Sequence, residues 1–433
     1  MGLMRNKARP MCRVRKDAAW VIRTVALLGT LFGGSIVLAT RALPADPVLH
    51  TIPLRLIGGG PIAVDDRAGL SYVVTADNLV AALTIDGDTR YIAPVGQLPV
   101  AFAVDAPHDR LFVASAADNS VSGLDSGGAL RFYQPVPSSP AELAVDRRTG
   151  HLFVDAAGSP PDGSGTLSMF DVRNGRLVRR EVVDGGTHAL RVDEHTNRVF
   201  LANLPGSVST FDASSGALVR TTRFGGRAGG GANAMALDTR NDRLYLTSDG
   251  GLRVLDGHTG TLLHTIPLGA SPAKGVYLEG VLVDARHARA VVLRGRGRAT
   301  TVLTLALPSC RIIHRTNVGT LDAGSGATAA MDQTHGQFYL ADQRAHRLLV
   351  FDVVEGILAR AIHLDGIPLA LGVDERRSLL YLTLAPPHGE DSSNGISTVS
   401  WWQRAVQQLP WVPGPDHHPS IRSRVVEILD PFR

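Results

Sequence analysis

Among its 433 residues the chain has only two cysteines and three lysines. Cys12 lies near the N-terminus and Cys310 deep in the chain, so the body has one thiol and no partner for an internal disulfide. No CxxC and no Cys/His pair with zinc spacing occurs, and the sequence calls for no metal or other cofactor. Lys7, Lys16 and Lys274 are the only lysines among 44 basic residues, a bias that a GC-rich genome explains. A phosphate loop is missing too: RAGGG at 227–231 is followed by neither GK[ST] nor a helix start.

A strongly basic body is also lacking. Residues 1–45 hold eight Lys or Arg against one acid, Asp17, a balance of +7. The chain totals +4, so residues 46–433 carry −3. The basic balance belongs to the leader, and nucleic acid is excluded as an expected partner of the folded part. Within the leader, VALLGTLFGGSIVLAT (25–40) is uncharged and mostly apolar. Its length falls between a signal h-region and a spanning helix. The basic flank predicts an N-terminus inside and residues 46 onward exported. The expectation is an N-terminal membrane helix that anchors the protein facing outside or into the periplasm, with secretion as the outcome if the leader is cleaved.

What the chain has in abundance is repetition. The aspartates that close short apolar segments, Asp65, Asp105, Asp146, Asp193, Asp238, Asp284, Asp332 and Asp374, lie 40, 41, 47, 45, 46, 48 and 42 residues apart. Units of that length match four-stranded propeller blades. Each opens with an inner strand such as FAVD (102–105) or LGVD (371–374), apolar and expected to be fully buried. An Asp-led turn follows, as in DRRTG (146–150), where the carboxylate accepts backbone N–H bonds and Gly or Asn supplies positive φ. A second strand, a third ending in another Asp turn such as FDVRNG (170–175), and a polar outer strand complete the unit. The prediction is an all-β propeller of about eight blades over 46–412, seven being the alternative, between the 1–45 leader and a 413–433 tail. In that tail, IRSRVVEILDPF (421–432) suggests a short amphipathic helix.

The segments MALDTRNDRLYLTSDGGLRVLDGHTGTLLHTIPLGASP (235–272) and LRVDEHTNRVFLANLPGSVSTFDASSGALVRTTRFGG (190–226) resemble the YVTN-type β-propeller repeat, and the likeness runs over roughly 48–412. The resemblance implies a propeller like those of surface-layer and periplasmic proteins, and more distantly of lactonases and quinoprotein amine dehydrogenase heavy chains. Two units depart from the pattern, with LALPS (305–309) and SWWQR (400–404) where the second Asp turn belongs. VLHTIPL (48–54) nearly repeats LLHTIPL (262–268), an outer strand, so the chain start is expected to complete the last blade. That leaves RAVQQLPW (404–411) competing for the same place.

Function is sought where the units differ. The long connections 155–165, 224–234 and 384–395 are candidate binding loops. Polar residues just ahead of inner strands, Glu142, His188, Asn233 and Glu279, with Lys274 and Thr328 beside them, would face the central channel on the same side. They form the candidate ligand site, able to hold a cation or polar ligand or to do acid–base work if they converge. Most other units carry proline near this place (Pro61, Pro99, Pro140, Pro368), which favours a structural role for the position. The expected function is a binding scaffold for a protein or an envelope polymer, without assigned catalytic residues. The alternative is a lactonase- or lyase-type enzyme using the channel mouth.

Overall fold

In a computed structural model the described residues form eight four-stranded antiparallel sheets. The structure describes residues 48–54, 60–75, 77–156, 158, 163–184, 187–203, 206–224, 234–297, 299–321, 329–385 and 424–431. Seven blades are simple up-and-down meanders over 62–94, 99–135, 140–183, 187–223, 235–266, 276–320 and 329–363. The eighth joins both chain ends: Ile367–Asp374, Leu379–Ala385, Arg424–Leu429 and, outermost, Val48–Leu54. Eight blades therefore replace the seven-blade alternative, and the closing role of VLHTIPL stands, with Ile52 opposite Val426.

The tail differs from expectation. RVVEIL (424–429) is a strand, the third of the last blade, where an amphipathic helix was expected. Its β-branched residues suit a pleated, buried surface, and the pairing with Leu380–Leu384 and with the chain start decides in favour of a strand. This takes the propeller past residue 412. SWWQR and RAVQQLPW lie outside the described residues, as does the expected N-terminal helix. Among the described residues no helix is long and apolar enough to cross a membrane.

The core is divided rather than central. Eight apolar clusters each fill the wedge between two neighbouring blades, the last one joining Tyr381, Val426 and Ile428 of blade 8 to Val73, Ala81 and Leu83 of blade 1. Second strands are the most buried, as Leu70–Val74 shows in full. Inner strands, expected to be fully buried, are only half-buried; in Ile62–Asp65 the aspartate alone is buried. Consecutive inner strands touch all round and Ile367–Asp374 meets Ile62–Asp65, so one side of each looks onto the ring axis.

The repeated aspartates are 0–2% exposed. In blade 3, Asp146 Oδ1 accepts from Arg148 N at 2.9 Å and Thr149 N at 3.0 Å; in blade 8, Asp374 Oδ1 accepts from Arg376 N and Arg377 N, both at 3.0 Å. Blade 2 departs because Pro107 has no N–H to give, and the Asp105 carboxylate takes the His108 ring at 2.9 Å instead. The last residue of this turn has φ between 49° and 71° in all eight blades, whether glycine (Gly150) or not (Asn197, Ala288, Ser378). The second Asp turn adds contact between blades. Gly175 closes it in blade 3 at φ 71° with its Cα pressed on the Phe132 ring of blade 2, leaving no room for a Cβ. In blade 6, which lacks the Asp and the glycine, Cys310 takes the left-handed position at φ 54°.

These contacts set two expectations for thermal or denaturant unfolding. Asp146→Ala should cost about 2–3 kcal/mol by orphaning two N–H groups, and Asp146→Asn, which keeps an acceptor, clearly less. Gly175→Ala should cost about 2–4 kcal/mol from crowding plus left-handed strain, whereas Gly319→Ala, at φ 83° with open space around it, should cost only about 1 kcal/mol.

Candidate functional site

Inner strands of blades 2, 3, 4, 6 and 8 carry a bulge near their start, between Pro99 and Ala101, Pro140 and Leu143, Thr187 and Ala189, Leu278 and Gly280, and Pro368 and Ala370. Four of the bulges drop one residue out of the ladder, Val100, His188, Glu279 and Leu369, and the one in blade 3 drops two, Ala141 and Glu142. Of the site residues read from sequence, His188 and Glu279 thus hold equivalent places on blades 4 and 6, and Glu142 lies one position further along in blade 3. Asn233, Thr328, the His188 side chain and most of the three long loops lie outside the described residues. Glu142 and Glu279 sit on blades with two others between them.

Glu142 is occupied by the fold. Its N–H, freed by the bulge, donates to Asp155 Oδ1 at 2.7 Å. Its Oε2 accepts from Leu190 N at 3.3 Å and from Arg191 Nη1 at 3.1 Å, both on blade 4. The pair ties two blades together; with its side chains 30% and 42% exposed it is worth at most about 1 kcal/mol. Asp155 is a fully buried acid that sequence analysis passed over. Its signal was there: HLFVDA has aspartate where RLFVAS and RVFLAN have alanine.

Glu279 is in a different state. Its carboxyl lies on the bare backbone of Gly295 in the neighbouring strand, in space that a Cβ would fill. Among the described residues its buried Oε2 has no hydrogen-bond partner. Burial without a countercharge pushes this carboxyl up to about 7. Such a group can take or give a proton near neutrality. Lys274, in the short turn Pro272–Lys274, is exposed nearby in sequence. Cys310 offers no nucleophile: it is buried beside Tyr245, and burial pushes its thiol up to about 11. Among the described residues no group of three or more His, Cys, Asp or Glu is placed to hold a metal ion.

Comparison with known proteins agrees with this architecture. The family model described as outer membrane protein assembly factor BamB matches residues 163–306, a third of the chain. BamB from Moraxella catarrhalis superposes with a TM-score of 0.57 at 14% identity, over 77% of this chain and 96% of that one. The computationally designed Ika8 protein does so at 0.57 and 16%, over 76% and 94%. Sqt1 of Saccharomyces cerevisiae reaches 0.60 at 12%, over 80% and 93%. At such identities the likeness is one of fold. A search of curated proteins found no matching relative.

The Glu279 carboxyl provides a pH test. Because its folded value of about 7 lies above the ordinary 4.5, the folded state binds the extra proton, and stability is lost as pH rises through that interval. Glu279→Gln should therefore leave stability unchanged near pH 4 and raise it by roughly 2 kcal/mol at pH 8, read from urea midpoints. Equal effects at both pH values would contradict this state of Glu279.

Proposed function

We propose that this protein is an extracytoplasmic interaction scaffold, tethered to the membrane through its first 45 residues, that binds another protein or an envelope polymer. One observation carries the reading. Glu142 is bound into a clasp between blades 3 and 4, and Glu279, two blades further on, has a buried Oε2 without a hydrogen-bond partner among the described residues, which speaks against a shared catalytic pair of acids. A rigid ring with eight separate wedge cores suits a platform that presents loops and strand ends. The match of residues 163–306 to a family described as an outer membrane assembly factor supports a role in the cell envelope. The basic, apolar leader supports export. The lactonase or lyase alternative has the unpartnered Glu279 carboxyl in its favour and nothing else in the described residues.

Amine-reactive crosslinking serves poorly in so lysine-poor a chain, so a photo-crosslinker placed at single sites around the face that carries the bulges is the appropriate tool. In intact cells it should capture one defined envelope protein from a limited arc of sites, with the propeller in the extracytoplasmic fraction. Recovery of the propeller in the cytoplasm, or no captured protein or envelope polymer from any site, would overturn the scaffold reading.

A further inference from the structure

Blade 6 stands above its neighbours. Its second, third and outer strands have 8, 8 and 10 residues, whereas those strands in the other blades have 5 to 7. The added length is at the bulge side: three residues, Val276–Leu278, precede the Glu279 bulge, where blades 2 and 4 have one each, Pro99 and Thr187. The hairpin continues upward through Arg294, Gly295 and Arg296, which pair with Leu278, Tyr277 and Val276, and through Ala299 and Thr300, which pair with Thr320 and Gly319.

The composition of this crest is unlike that of the body. Lys274 and Arg296 are exposed and Arg294 is half-buried, while Glu279, with its carboxyl buried, is the one acid among the described residues of 271–280, 293–301 and 317–321. Residues 46–433 as a whole carry −3, so these cations oppose the charge of the domain that bears them. Tyr277 is 42% exposed, and directly across the ladder it faces Gly295, which has no side chain. The space over Gly295 is taken by the Glu279 carboxyl, so the exposed Tyr277 ring itself is the apolar surface that one side chain of a partner can lie against. Aromatic and arginine side chains are the groups that dominate binding energy at protein interfaces.

We infer that the crest of blade 6 is the docking surface of the scaffold and that its occupant is an extended acidic segment of a partner protein, with carboxylates on Lys274 and Arg296 and an apolar side chain against Tyr277. The inference rests on the scaffold reading and gives that partner its chemistry. Complementary charge speeds encounter and sets register, and the exposed Tyr277 ring supplies apolar contact to a single side chain.

The test is fluorescence anisotropy with a labelled ten-residue peptide of alternating glutamate and alanine carrying one central leucine, beside its glutamine counterpart. Full-length protein should bind the glutamate peptide and not the glutamine one. Arg296→Gln, Arg296→Glu and Tyr277→Ser should each weaken binding by about tenfold or more, and Arg90→Glu on the outer strand of blade 1 should not. Unchanged unfolding midpoints confirm that the variants are folded. Unaltered affinity in the crest variants, equal binding of both peptides, crest-dependent binding to phosphatidylglycerol vesicles in place of the peptide, or crest-dependent dimerisation would each overturn the proposal. If Arg296→Glu still captures the crosslinked envelope protein, the crest is wrong and the scaffold stands; if the wild type captures neither protein nor polymer, the scaffold itself falls.

Discussion

Everything in this structure depends on one pairing, that of Val48–Leu54 with Arg424–Leu429. A ring of sheets has no open end only if the first and last blades are joined. Here the joint is made by backbone hydrogen bonds between residues 370 or more positions apart in a chain of 433. Without it, Tyr381, Val426 and Ile428 lose the outer strand that covers them, and the wedge they share with blade 1 is opened. The exposed edge of Arg424–Leu429 would then be free to pair with another chain. The Arg377 guanidinium, which donates to the Asp66 carbonyl, and the packing of Gly372 on Val64 reinforce the same seam.

Once closed, the ring makes the blades nearly interchangeable in how they hold together and leaves function to what they do not share. The buried aspartates, the left-handed turn residues and the glycine-to-ring contacts recur because hairpin geometry requires them. Glu142 began as a candidate ligand group and proves to be part of that frame, bridging to Arg191 and receiving support from Asp155 through its own N–H. Blade 6 is where the frame is extended, and both Glu279, whose buried Oε2 has no partner among the described residues, and the cationic crest with Tyr277 belong to it.

The parts legible in the sequence were those for which local geometry dictates residue type. An aspartate whose carboxylate must accept from N–H groups two and three residues on, followed by a residue with positive φ, writes itself into the chain at each blade, so the count of eight and the bounds of most hairpins could be read. The duplication of HTIPL revealed the closing strand for a similar reason. The third strand of blade 8 could not be found this way. It lies 38 residues beyond Leu379–Ala385, no Asp turn announces it, and a six-residue run such as RVVEIL satisfies a helical or a strand pattern equally until its partners are known. Bulge positions were legible as polar breaks ahead of inner strands, but whether a carboxylate there is bonded, like Glu142, or left alone, like Glu279, depends on the neighbouring blade and on a glycine sixteen positions away. The burial of the inner strands was overestimated because apolar composition does not distinguish a strand covered on both sides from one that looks onto the axis of the ring.

The most direct test of the closure is equilibrium urea unfolding of Ile52→Asp, a carboxylate placed into the seam opposite Val426, compared with Val182→Asp on the exposed outer strand of blade 3. If the joined chain ends hold the ring, the first change costs about 3 kcal/mol or more and strips hydrogen-exchange protection from Val426 and Ile428, and the second has little effect. Equal stability of the two variants, with protection of Val426 and Ile428 intact, would contradict the account.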